Sequence, residues 1–121
     1  MSAPNPRWRY APSVVAEGWA DLSLEEVLTR AYAAPTWWEQ FSPVCCWFHV
    51  RVASGETARA QALLEAVDVG RVFPPTNDAL LSCAKRARDE GLPDIDHAAF
   101  FARVLARTPQ AFARDLYKRN R

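Results

Sequence analysis

Proline and glycine cut this chain into short pieces. Nine prolines and four glycines fall in 121 residues. Pro35, Pro43, Gly55, Gly70, Pro74, Pro75, Gly91, Pro93 and Pro109 leave intervals that hold a helix of ~10–14 residues and little more. The pieces between the breaks carry helical periodicity. Ser23 followed by Glu26 is a capping-box pattern, and Leu24, Val27, Leu28 and Ala31 follow the i, i+3, i+4, i+7 rule until Pro35 stops the helix. Residues 57–67 place Ala60, Leu63, Leu64 and Val67 on one side. Residues 68–77 read as a loop, with Thr76 or Asn77 capping a helix whose stripe is Leu80, Cys83, Ala84 and Ala87 and whose stops are Gly91 and Pro93. Asp94 or Asp96 opens a further helix through Phe100, Phe101, Val104 and Leu105. Thr108-Pro109 starts the last one, with Phe112, Ala113, Leu116 and Tyr117 inward. The expected fold is all-α, a compact irregular or orthogonal bundle of about five to six short helices.

One segment reads both ways. Thr36 can cap a short turn that holds Trp37, Trp38 and Phe41, and Ser42-Pro43 can start a separate helix. Val44, Trp47, Phe48 and Arg51 then share a helical face, yet Cys46, Phe48, Val50 and Val52 alternate as a short strand near 44–52 would. Helix is favoured because nothing else in the chain offers a strand partner. Pro4, Pro6 and Pro12 make residues 1–20 an extended N-terminal arm carrying Arg7, Trp8, Arg9 and Tyr10, with residues 21–121 as a single helical domain.

Composition excludes more than it assigns. Half the residues are apolar and the net charge is +1, so neither disorder nor a global affinity for anionic partners is expected. No apolar run approaches the ~18 residues of a membrane span, and the N-terminus lacks a signal-peptide centre. An odd number of cysteines, two of them adjacent, points to free thiols and a cytoplasmic location. Arginine-rich, alanine-rich usage suits a GC-rich bacterial or phage genome.

Candidate chemistry is thin. Cys45 and His49 are i, i+4, and Cys46, Cys83 and His97 could add ligands, but no paired spacing such as C-x-x-C announces zinc. A cysteine nucleophile needs a base and an orienting group, and small core cysteines beside an edge histidine are the plainer reading. Glu25, Glu26, Asp94 and Asp96 sit at helix starts, where they balance the dipole. No nucleotide-binding or metalloprotease motif occurs. No enzyme activity, cofactor or metal is expected.

Two features remain. Trp37 and Trp38 are adjacent, so they point about 100° apart on a helix and cannot share one core stripe. At least one is expected to be partly exposed, as an interface anchor, while Trp47 and Phe48 are expected in the core. Charge is also uneven: residues 1–70 balance to −3 and residues 71–121 to +4. Arg103 and Arg107 share one helix face, and Arg114, Lys118 and Arg121 share another. The expectation is a small binding protein of inhibitor, immunity, anti-defence or adaptor type whose partner is another protein. Trp37, Trp38, Phe41 and His49 would be its anchor segment, and Arg107, Arg114, Lys118 and Arg121 its charged rim. No membrane partner is expected.

The alternative is a nucleic-acid-binding regulator using the basic C-terminal helices. Residues 78–106 read as helix, turn and helix. The segment F-F-A-R-V-L-A-R-T-P-Q-A-F-A-R, with S-L-E-E-V-L-T-R-A-Y earlier, loosely resembles parts of an AraC-type DNA-binding domain. That resemblance implies a helix-turn-helix. Its reading helix here would begin His97-Ala98-Ala99-Phe100, which is poor in the side chains that read base edges.

Overall fold

The computed structural model describes residue 8 and residues 18–107. The expectations placed on Arg7, Arg9 and Tyr10, on a last helix from Thr108, and on Arg114, Lys118 and Arg121 lie outside the described residues. Within them the fold is all-α. A 3-10 turn at Trp19–Asp21 precedes α1 (Leu24–Ala33), α2 (Trp37–Ala53), α3 (Thr57–Ala66), α4 (Pro74–Asp89) and α5 (His97–Arg107), and there is no strand among the described residues.

The sequence punctuation is realised in hydrogen bonds. Ser23 Oγ accepts from the Glu26 N–H at 3.1 Å while Glu26 Oε1 accepts from the Ser23 N–H, so the capping box of α1 is complete. Gly55 and Gly91 adopt left-handed φ of 77° and 70°. Each sits just past a helix in the paired bonds that tie up its last carbonyls: Gly55 to Val52 and Glu56 to Arg51, Gly91 to Arg88 and Leu92 to Ala87.

The 44–52 segment is helix throughout, not strand, and the expected turn-plus-helix is one continuous α2 from Trp37 to Ala53. Thr36 holds the N-cap position without a capping hydrogen bond, and Pro43 lies inside the helix. An internal proline costs about 3 kcal/mol. Val44, Trp47, Phe48 and Val52 are each at most 1% exposed, and burying such side chains stabilises by ~1.5–3 kcal/mol apiece, which outweighs it. Val44 to Phe48 are consecutive buried residues. A helix apolar all round its girth satisfies any period, and so the strand reading could arise.

The start of α4 also differs. Thr76 and Asn77 are not caps; Phe73 is at the N-cap position and Pro74 and Pro75 open the helix. Prolines preset helical φ, and their missing N–H groups would have been orphans there anyway. Thr76 and Asn77 are therefore buried inside α4, where Asn77 Nδ2 donates to the Val69 carbonyl.

α2 is the hub. It packs against the 3-10 turn, α1, α3 and, most extensively, α4, and α4 carries α5. Trp8, assigned by sequence to the arm, is fully buried in this core.

Candidate functional site

Two places stand out, both on α2. The first is its N-terminus. Trp37 and Trp38 are 44% and 57% exposed, the large apolar side chains at the surface among the described residues. Phe41, one turn on, stacks against Trp37 with ring centroids 5.4 Å apart, as i, i+4 neighbours can. Trp38 meets Trp37 edge to face at 5.7 Å. The rings thus brace one another into a fixed aromatic surface, with exposed Glu39 beside it.

His49 does not join that surface. It lies about three turns further along α2, half-buried, with the Trp8 ring over it at 4.8 Å. Arg107 is exposed on α5, its guanidinium against Gly70. Arg103, its neighbour on the same face, is already engaged: its guanidinium donates to the carbonyls of Leu64 and Val67 at the end of α3. That is the helix-terminus role of a cation rather than a free phosphate contact. The recess beside Arg103, about 190 Å³ and lined by Gln61, Glu65, Asp96 and Phe100, is likewise internally satisfied. Gln61 there accepts from the Asp96 N–H and donates to Glu65.

The second place is the seam between α2 and α4. All three cysteines are free thiols. Cys83 Sγ lies 3.5 Å from His49 Nε2 across the seam, and Cys45 sits one turn before His49 on α2. The neighbouring Cys45 thiol is the main cause holding the Cys83 thiol down, to about 6; His49 and Arg86 assist and burial opposes them. The neighbouring Cys83 thiol and burial push the Cys45 thiol well up. Trp8 covers this cluster. Its Nε1 donates to Glu90 Oε1 at 2.9 Å, and the Arg86 guanidinium lies 4.2 Å above its ring. Sequence spacing shows Cys45 and His49 on one face and Cys83 in the stripe of α4, but only packing brings the three together.

The chain matches no protein-family model, no curated protein and no solved structure, so geometry carries the functional reading. No helix among the described residues is long and apolar enough to cross a membrane. No cluster of His, Cys, Asp and Glu among them is arranged to hold a metal ion.

Proposed function

We propose that this protein works by binding another protein through the Trp37–Trp38–Phe41 surface, in the manner of an inhibitor, immunity protein or adaptor. One observation carries the reading. Among the described residues the core buries Trp8, Trp47, Phe48 and Phe100, yet two adjacent tryptophans stand exposed at the surface. Tryptophan offers a large apolar face with few rotamers to freeze, and it is enriched among residues whose truncation costs an interface about 2 kcal/mol or more.

The nucleic-acid alternative draws less support from the described residues, since the Arg103 guanidinium is taken up by the end of α3.

Capture from nuclease-treated lysate of the native host tests the reading. The wild-type chain should retain a discrete protein. Trp37→Ala and Trp38→Ala should each lose it, by roughly thirtyfold in affinity, with unchanged far-UV circular dichroism. A partner held equally well by both variants, or one released by nuclease, would remove the aromatic surface from the mechanism.

A further inference from the structure

α5 packs chiefly on α4, with Phe100 and Val104 buried, and residues 90–96 lead into it. Polar latches hold that loop. Asp94 Oδ2 accepts from Thr57 Oγ1 at 2.8 Å, and Gln61 Oε1 accepts from the Asp96 N–H at 2.9 Å. Asp96 Oδ1 caps α5 by accepting from the Ala99 N–H at 3.0 Å. Asp94 is held at a left-handed φ of 73°, which a residue with a Cβ resists. The last latch is His97, the first residue of α5. It is 6% exposed and packs on Phe101 with ring centroids 5.7 Å apart.

The hydrogen bonding around His97 suits only a neutral ring. Arg88 Nη1 lies 3.4 Å from His97 Nδ1, and a guanidinium only donates, so Nδ1 accepts and the ring's proton is on Nε2. Nε2 is buried with no hydrogen-bond partner among the described residues. Asp89 fixes the rest of the Arg88 fork, its Oδ1 accepting from Nε and Nη2. A second ring proton must therefore go to Nδ1, where it displaces the Arg88 bond and sets two cations face to face between α4 and α5. The positive end of the α5 dipole adds to the repulsion. The charged groups facing the ring are Lys85, Arg88 and Asp89 from α4 and Asp96 from the loop. Burial first, then the Arg88 charge, hold the imidazole below its ordinary range, and Lys85 assists. Asp89 and Asp96 oppose them, but Asp89 is committed to Arg88 and Asp96 to the cap of α5.

We infer that His97 is a proton-operated latch, and that protonating it undocks α5 and the loop before it from α4 while the rest of the bundle stays folded. Linkage sets the direction. An undocked His97 takes up a proton near pH ~6.5, whereas the docked ring resists it. Docking is therefore fully favoured above that pH. It weakens as pH falls, by about tenfold in the equilibrium per pH unit until the docked ring itself titrates. Undocking also carries the Arg103 guanidinium away from the Leu64 and Val67 carbonyls, so the same proton uncaps the end of α3. The Trp37–Trp38–Phe41 surface is on α2, outside the latch.

The test follows amide hydrogen exchange of the full chain from about pH 7.5 to about pH 5.5, with each rate corrected for the pH dependence of a free amide. Protection of the α5 amides should fall about tenfold over the last pH unit, while the amides of α2 keep theirs. His97→Gln retains a carbonyl oxygen for Arg88 but takes up no proton, so it should hold α5 protection flat over the same range. His49→Gln, which alters the chain's other histidine, should leave the fall in place. Ring-nitrogen NMR of the wild-type chain needs no variant to fold. It should show His97 neutral and protonated on Nε2 at about pH 6.5, where a free imidazole is half charged. A His97 ring half charged at that pH or above, equal loss of protection in α2 and α5, or a fall that persists in His97→Gln would each overturn the inference.

Discussion

Gln40 shows how much one polar side chain can organise. It is 1% exposed. Its Nε2 donates to the Ala31 carbonyl at 2.7 Å, and its Oε1 accepts from the Phe73 N–H at 2.8 Å and from Thr76 Oγ1 at 2.7 Å. The side chain thus serves the end of α1 and the start of α4 from within α2, and it stands in for the capping bond α4 lacks. Replacing it with leucine keeps the bulk and strands those groups in the core. Each unsatisfied buried group costs ~1–3 kcal/mol, so Gln40→Leu should destabilise by about 3–5 kcal/mol in urea unfolding. Thr76→Val should cost less alone, and the double variant less than the sum, since both changes break one network. A loss under about 1 kcal/mol for Gln40→Leu would mean that the neighbouring groups find other partners. Nothing in the sequence marked Gln40. A lone glutamine between aromatics reads as a surface position, and only the arrival of α4 makes it a hub.

At the scale of elements, legibility follows amphipathicity. The stripes of α1, α3 and α4 were readable because each helix buries one side: Val27, Leu28 and Ala31; Ala60, Leu63 and Leu64; Leu80, Ala84 and Ala87. Residues 44–52 were not, because a central helix has no polar side to set a phase. Helix ends were readable where glycine or a capping box set them. They were misread where a proline pair opened the helix ahead of the expected cap. Gly91 isolates the energetics of such an end. Its φ is +70° and a Cβ there would meet nothing within 4 Å, so substitution tests conformation alone. Gly91→Ala should lower stability by about 1 kcal/mol, the approximate cost of left-handed backbone for a residue with a Cβ. Gly91→Asn should cost clearly less, since asparagine tolerates that region. Equal losses in thermal unfolding would show that the end of α4 is held by something other than backbone conformation. The thiol cluster lies beyond element-level reading for a related reason: Cys45, His49 and Cys83 come from two helices whose facing registers are fixed only by packing.

At the scale of the molecule, the question raised by an aromatic-rich segment has a divided answer. Trp47 is core: it is fully buried and its Nε1 donates to the Leu22 carbonyl at 2.9 Å, fastening the 3-10 turn to α2. Trp37 and Trp38, a few turns away, contribute surface. The two classes should separate in one experiment. Trp47→Ala removes a filled core volume and should cost about 3–5 kcal/mol, whereas Trp37→Ala and Trp38→Ala should each change unfolding free energy by less than about 1 kcal/mol. Ionic strength then distinguishes what the surface grips. Affinity resting on aromatic burial should change little between low and moderate salt. A complex held by phosphate contacts would weaken by orders of magnitude over the same range. Salt-insensitive capture that depends on Trp37 and Trp38 and not on Arg107 would assign the binding energy to the aromatic surface. Steep salt dependence that survives both tryptophan substitutions would return the argument to the basic helices and leave the aromatic surface without a role in binding.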